Sequence, residues 1–313
     1  MSIVDLLKSA VKKRESFRAY TNAIRLVNGV GDKLDGLVLE QYDQYFVAQI
    51  FDRRWFKEKV VLIELVKELG GKYFVVKDRG SSASSQSDDI KREVWIEVDT
   101  SKTVVEEQGL KFEVDLNDTL NTGLFLDMRH NRKTVAELAR GRKVLNCFAY
   151  TCSFGVYCRA AGAVSVINVD VSKKCLDRGR KNYELNNIVS EPNEFIKADA
   201  VEYLTKAVKK ENRFDLIILD PPSFSRCDGK TFSVKKDMAC LIKLAVKVLN
   251  PGGVLFAAVN FSEMTAKDLE FMVVDAKLAA GIKNIKYLKQ DKDFIGTGLV
   301  PESYLAAVLV ELK

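Results

Sequence analysis

KVLNCFAYTCSFGVYCRAAGAVSVINVDVSKKCLDRGRKNYELNN, residues 143–187, contains one pattern twice. A short, continuously apolar run (KVLNCF, 143–148; SVINVDV, 165–171) is followed by a segment of helical period (SFGVYCRAAGA, 153–163; KKCLDRGRKNYELNN, 173–187). Strands apolar on both faces are buried on both, which is the signature of a parallel sheet covered by helices. The alternation continues with EFIKAD (194–199) and AVEYLTKAVKK (200–210), then FDLIILD (214–220) and VKKDMACLIKLAVKVLN (234–250). GGVLFAAVN (252–260) and AKDLEFMVVDAKLAA (266–280) follow. Two last strands, IKNIKYLKQ (282–290) and SYLAAVLVEL (303–312), have no helix between them and predict an antiparallel hairpin at the end of the sheet. The expected fold class is α/β: a doubly wound, seven-stranded, mostly parallel, Rossmann-like sheet with a C-terminal antiparallel hairpin.

Upstream the pattern differs. Residues 1–20 read as one helix, with Leu6, Leu7, Ala10 and Val11 at helical spacing between lysines. IRLVNG (24–29), GLVLEQY (36–42), YFVAQIF (45–51), KYFVV (72–76) and REVWIEV (92–98) read as strands, and WFKEKVVLIELVKELGG (55–71) as a helix with a glycine stop. DRGSSASSQSDD (78–89) reads as a mobile polar loop. The expected division is an N-terminal helix (1–20), a smaller α+β domain (21–118) and a larger α/β domain (119–313).

Composition narrows the function. Hydrophobic residues are 47% and charged residues 29% of 313, an ordinary globular balance. No apolar run approaches the roughly 18 residues of a spanning helix, and the amphipathic start lacks a secretory h-region, so a cytoplasmic location is expected. Six cysteines with one histidine, and no paired knuckle, argue against a metal. Cys147, Cys158, Cys175 and Cys240 lie in apolar or helical patterns and read as buried thiols. A net charge of +6 permits a nucleic-acid partner without demanding one.

Ligands of open α/β sheets bind beyond the carboxyl ends of the strands. The first such end, LNCFAYTCSFG (145–155), lacks GxGxxG and is rich instead in hydroxyls and small groups at Thr151, Cys152 and Ser153. Asp170 ends the second strand, about 20 residues after the first turn begins, where a carboxylate can accept ribose hydroxyls; Ser172 is better placed to cap the next helix. Asp199 ends the third strand and could meet an adenine amine, cap a helix, or do both. The fourth end, LDPPSF (219–224), is the sharpest feature: Pro221 and Pro222 hold the backbone extended and donor-free beside the Asp220 carboxylate, with Phe224 suited to stack on a base.

These motifs together resemble the bacterial 23S rRNA methyltransferase family, which contains cytosine-5 enzymes and the guanine-N-7 half of a bifunctional enzyme. The similarity rests on LDPPSF after FDLII, VLNCFAYTCSFGVY, VINVDVS, TGLFLDMRHNR (122–132) and RLVNGVGDKLDGLVLEQY (25–42), and spans residues 22–313. A doubly wound sheet closed by a hairpin is also the usual class I methyltransferase architecture. The resemblance implies S-adenosylmethionine as methyl donor and structured ribosomal RNA as substrate. It places Thr122, Gly123, Phe125, Asp127, Arg129, Asn146, Phe148, Tyr150, Thr151, Asp170 and Asp199 around the cofactor, with Arg132 following; Ser172, next to Asp170, is counted with the cofactor residues. It places Asp220, Pro221 and Pro222 on the substrate side. Met128 stands where the family has glutamine, and Cys152 where it has glycine. The similarity starts too late for the N-terminal PUA domain of many members.

One departure bears on mechanism. Cytosine-5 members carry Ser-Cys-Ser at the tip of the strand after LDPPSF; here that place reads VNFSE (259–263), without a cysteine. Carbon 5 of cytosine generally needs a thiolate to add at carbon 6, whereas a ring nitrogen needs only positioning. The remaining candidate nucleophile is Cys227, in FSRCDGK (224–230), beside Arg226 and Lys230. Two other readings are a methyltransferase of a protein or small molecule, and a non-catalytic RNA-binding assembly factor. The domain at 21–118 argues against the first, and the joint presence of Asp170 and Asp220 against the second.

Overall fold

The computed structural model describes residues 1–80, 91–98, 100–118, 121–227, 230–278, 281–294 and 305–313, with 225–227, 230–231 and 277–278 described through their backbone alone. The serine-rich segment lies largely outside the described residues. The chain divides into two units, Met1–Arg129 with Asp291–Glu302, and His130–Gln290 with Ser303–Lys313. Segment 119–129, expected with the larger domain, thus groups with the first unit, as does the N-terminal helix.

In the first unit, α1 (Ile3–Lys13) starts at a capping box, in which Ser2 and Asp5 exchange hydrogen bonds. The single helix expected over 1–20 is broken: backbone dihedrals leave the helical range at Arg14, and a 3₁₀ turn follows at Glu15–Ala19. At the break the Arg14 guanidinium turns inward to a two-pronged pair with Asp32, both contacts at 2.7 Å. Strands β1 (Ala23–Asn28), β2 (Leu37–Tyr42), β3 (Tyr45–Ile50), β4 (Tyr73–Asp78) and β5 (Arg92–Ile96) form a sheet in that order. Pairing is antiparallel except β3–β4, whose crossover carries a 3₁₀ turn (Arg53–Glu58) and α2 (Lys59–Glu68). The apolar face, including Ile24, Leu39, Phe46 and Phe74, buries Leu7 of α1 and Leu62 of α2.

A hairpin not expected from sequence follows, β6 (Lys102–Glu107) and β7 (Leu110–Asp115). Its two-residue turn is Gln108–Gly109, with φ of 53° and 79°. That is the left-handed pair a tight hairpin turn requires, but Gln-Gly is a weaker sequence cue than Asn-Gly or Asp-Gly.

Helix α3 (Arg129–Ala136) leads into the second unit. Its sheet contains β8 (Lys143–Cys147), β9 (Ser165–Asp170), β10 (Phe195–Lys197), β11 (Phe214–Leu219), β14 (Leu249–Asn260), β15 (Ile282–Leu288) and β16 (Leu305–Leu312). The order is β10-β9-β8-β11-β14-β16-β15. The five inner-to-left strands are parallel, and β16 runs antiparallel to both β14 and β15, the expected closing hairpin. Crossovers are made by α4 (Ser153–Ala160), α5 (Lys173–Leu185), α6 (Ala200–Lys209), α7 (Val234–Lys247) and α8 (Ala266–Val273). The last expected helix continues from α8 into a π-helical turn at Val274–Leu278. A small hairpin, β12 (Phe224–Cys227) and β13 (Lys230–Ser233), stands between β11 and α7. Leu145, Ile217 and Leu255 are wholly buried, as continuously apolar strands demand. Among the described residues no helix is long and apolar enough to cross a membrane.

Candidate functional site

The register aligns the carboxyl ends of the parallel strands. Cys147 lies beside Val169 and Leu219, Asp170 beside Lys197, and Leu219 beside Ala257. The chain runs outward through β9 and β10 on one side of β8 and through β11 and β14 on the other. That reversal opens a crevice at the end of β8, the position ligands take in such sheets.

The turn after β8 is unusual. Phe148, Tyr150 and Cys152 have φ of 57°, 49° and 59°, and none is glycine. Left-handed backbone costs an L-residue roughly 1–2 kcal/mol, so three in five residues persist only where neighbours dictate the path. Those neighbours are identifiable. The Tyr150 N–H donates to Asp170 Oδ2 at 2.8 Å and the Ala149 N–H to the Val169 carbonyl at 3.0 Å. The Asn182 amide donates to the Thr151 carbonyl at 2.9 Å. The Phe148 ring lies 5.4 Å from that of Phe232. Cys152 is fully buried against α5: a Cβ on Gly179 would lie 2.4 Å from its Sγ.

Asp170 serves both loops. Its second oxygen accepts from the Ser172 N–H at 2.8 Å. Each carboxylate oxygen thus takes one backbone donor and keeps a further lone pair. Burial pushes its carboxyl above the ordinary value of 3.8, and the two N–H donors pull it partly back. Ser172 caps α5, accepting from the Cys175 N–H at 3.2 Å, and Asp199 caps α6, accepting from the Glu202 N–H at 3.0 Å.

Beneath the turn runs a buried polar chain. Asn146, expected in the cofactor loop, is 2% exposed and donates to Asn168 Oδ1 at 2.9 Å; Asn168 donates to the Tyr183 hydroxyl at 3.0 Å. Gly155 leaves room for it, since a Cβ there would meet Asn168 Oδ1 at 2.4 Å and Tyr183 Oη at 2.6 Å. Asn168, Gly179, Asn182 and Tyr183 were not expected from sequence. The available cue was Gly179, a glycine inside a helix, which costs about 1 kcal/mol against alanine and therefore usually has a packing reason.

At the end of β11, Asp220 is half-buried, Pro221 buried, Pro222 exposed, and Phe224 is 53% exposed. The Ser223 hydroxyl donates to the Asn260 carbonyl, which ties LDPPSF to the tip of β14 where VNFSE begins. The structure therefore brings together the two segments that the sequence singled out on the substrate side. Cys227 ends β12, and its side chain lies outside the described residues. Of the other cysteines, Cys147, Cys152 and Cys158 are buried, and burial raises all three thiols, Cys158 to about 12. Cys175 is only half-buried and Cys240 is exposed, contrary to the expectation of buried thiols. Among the described residues no group of His, Cys, Asp and Glu could hold a metal ion.

Thr122, Gly123, Phe125, Asp127 and Arg129 belong to the first unit. The Thr122 hydroxyl donates to Tyr42 Oη at 2.9 Å, Gly123 has φ 119°, Asp127 is buried, and Phe125 is exposed. Arg129, expected beside the cofactor, is wholly enclosed. It pairs with Glu107 at 3.4 Å, Asp291 at 3.2 Å and Asp293 at 3.1 Å, and donates to the Ala23 carbonyl at 2.7 Å. Burial works against its charge, but Asp293, Glu107 and Asp291 outweigh it and hold the guanidinium protonated. In the second unit, Arg132 is buried with its guanidinium 5.9 Å from the Tyr157 ring.

The family model for S-adenosylmethionine-dependent methyltransferases matches residues 70–310. The candidate ribosomal RNA large subunit methyltransferase YwbD of Bacillus subtilis is 33% identical over 318 residues, covering 98% of this chain and 79% of that protein. Ribosomal RNA large subunit methyltransferase I of Aeromonas salmonicida is 31% identical over 307 residues, covering 96% and 76%. The crystal structure of SMU.776, a candidate methyltransferase in complex with SAH, superposes with a TM-score of 0.86 at 25% identity, covering 98% of this chain and 80% of the other.

Proposed function

Because the chain belongs to the S-adenosylmethionine-dependent methyltransferases, we propose that it methylates a base of ribosomal RNA of the large subunit, in the cytoplasm, without forming a covalent bond to that base. When bound, S-adenosylmethionine supplies a methyl group made electrophilic by its sulfonium. The residues at the end of β8 and β9 suit this cofactor. Asp170 offers two acceptors for ribose hydroxyls, and the turn at Phe148–Cys152 presents its backbone at the start of α4. On the substrate side, Asp220 and the donor-free Pro221–Pro222 turn offer acceptors to an N–H of a base, and Phe224 offers an exposed ring to stack on it. Cys227 is assigned no role in bond formation.

Support for RNA as substrate comes from relatives named for ribosomal RNA that match nearly the whole chain. The observation that carries the non-covalent reading is the thiol-free tip of β14, held against LDPPSF by Ser223 and Asn260. Methyl transfer from labelled S-adenosylmethionine to ribosomal RNA of a strain lacking the gene, followed by mapping of the modified nucleotide, tests the function. Label that goes to protein and not to RNA would overturn it. Cys227→Ser is expected to leave the transfer rate within a few-fold, and the wild-type protein to form no adduct with 5-fluorocytosine RNA. An adduct would refute the non-covalent reading, since only a thiolate added to the ring is trapped in this way.

A pH dependence follows from Asp170. The ionised carboxylate accepts hydroxyls and the protonated one spends an oxygen on its own proton, so cofactor binding favours the charged form. Affinity for S-adenosylmethionine is expected to fall as pH drops through the Asp170 pKa, at a pH above the 3.8 of an ordinary aspartate. Calorimetry across the acid range checks this; an affinity that stays level until 3.8 refutes it.

A further inference from the structure

We propose that the Gly179–Asn182–Tyr183 face of α5 is the lock that sets the cofactor loop, with Gly179 and Asn182 as positioning residues for S-adenosylmethionine. The inference rests on reading Phe148–Cys152 as that loop.

Three residues of α5 spaced three and four apart lie on one helix face, and all three are buried. Each holds a different part of the turn. Gly179 leaves the space that Cys152 fills: a Cβ there would lie 2.4 Å from Cys152 Sγ, 3.0 Å from its Cβ and 3.4 Å from Phe195 Cε1. Asn182 donates to the Thr151 carbonyl at 2.9 Å. Tyr183 receives the amide of Asn168, which in turn accepts from Asn146 at the end of β8.

Cys152 has a single side-chain torsion, is 0% exposed, and has its backbone held left-handed at φ 59°. An added methyl at position 179 would crowd its Cβ as well as its Sγ, so turning the thiol alone does not relieve the contact and the strain passes to the loop. Cys152 and Gly179 form a complementary pair, one side chain divided between two positions.

The test is compensation. Gly179→Ala is expected to weaken S-adenosylmethionine binding about ten- to a hundredfold, the scale of an ångström-level misplacement in a preorganised site. The KM for S-adenosylmethionine should rise while that for RNA is unchanged. Cys152→Gly removes the side chain that an alanine at position 179 would meet, while glycine accepts the left-handed backbone without strain, and it serves as the reference for the pair. The double variant Cys152→Gly/Gly179→Ala should bind S-adenosylmethionine as Cys152→Gly does, and at least several-fold more tightly than Gly179→Ala alone. A merely structural role for Gly179 would not give selective loss of one KM with rescue at position 152. A folded Gly179→Ala protein with unchanged affinity, or a folded double variant that stays as weak as Gly179→Ala, overturns the proposal. Where Gly179→Ala does not fold, the double variant and Asn182→Ser decide. A folded, binding double variant and a several-fold loss in Asn182→Ser support the lock; wild-type affinity in Asn182→Ser refutes it. If the wild-type protein itself binds no S-adenosylmethionine, the reading of the loop has failed instead.

Discussion

Arg129→Ala is expected to lower the stability of the protein by about 3–5 kcal/mol, the cost of removing one partner from a buried ion pair. The residue is 0% exposed, and so is Glu107; Asp293 is equally enclosed. Without the guanidinium, Glu107, Asp291 and Asp293 lose the cation they share. They must then take up protons or admit water, and the Ala23 carbonyl loses its 2.7 Å donor. Such a loss is a large share of a typical folding free energy of about 5–15 kcal/mol. Arg129→Lys should recover only part of it, because one ammonium cannot reach Glu107, Asp291, Asp293 and the Ala23 carbonyl together. Denaturant unfolding checks both variants. An alanine variant within 1 kcal/mol of wild type, on the scale of about ±0.5 for ordinary surface substitutions, would show that the cluster is not the keystone described above.

Asp220→Ala is expected to reduce kcat by about 10²–10³-fold, the range for losing one preorganised polar contact at a reacting centre. Binding of S-adenosylmethionine should stay within a few-fold, because the Asp170 carboxylate and the turn after β8 are untouched. The residue follows the buried Leu219 and precedes two residues without N–H groups. Its carboxylate is therefore the strongest acceptor on that turn, and a base N–H held by it has its orientation set. Asp220→Asn keeps one acceptor oxygen and should lie between the two. Single-turnover rates at saturating RNA separate chemistry from binding. A wild-type rate in Asp220→Ala would remove the turn from the substrate side.

The fold was readable where burial leaves a mark on local sequence. Strands β8, β9, β11 and β14 are covered on both faces and are written as unbroken apolar runs, and the helix-free return to β16 marked the hairpin. Asp170 and Asp220 stand out as candidates because a charged residue at the end of such a run has few structural reasons to be there. What escaped notice depends on partners far away in the chain. Nothing near Arg129 announces that its guanidinium meets carboxylates 22, 162 and 164 positions away. The family resemblance placed it at the cofactor on motif alone. Gly179 is legible only together with Cys152, and Asn146 only together with Asn168. The break at Arg14 replaced a continuous helix because Asp32 draws the side chain inward, a pull that helical periodicity does not record.

The path of the chain between β15 and β16 has a consequence for synthesis. After Gln290 the polypeptide leaves the second unit, contributes Asp291–Glu302 to the first, and returns as the strand between β14 and β15. Arg14 donates to the Asp293 carbonyl across 279 positions, at 2.8 Å and 3.2 Å. A nascent chain elongating at about 5–20 residues per second therefore waits on the order of tens of seconds between the first of these groups and the second. During that interval the N-terminal sheet has its helices but not its last acidic segment, and the larger sheet lacks the strand that joins β14 to β15. The first unit is not complete until Glu302 is made, and the second not until Ser303–Lys313 follows. A stop codon that removes part of Asp291–Glu302 would therefore leave both units unfinished at once, whereas one within Ser303–Lys313 would truncate the second alone.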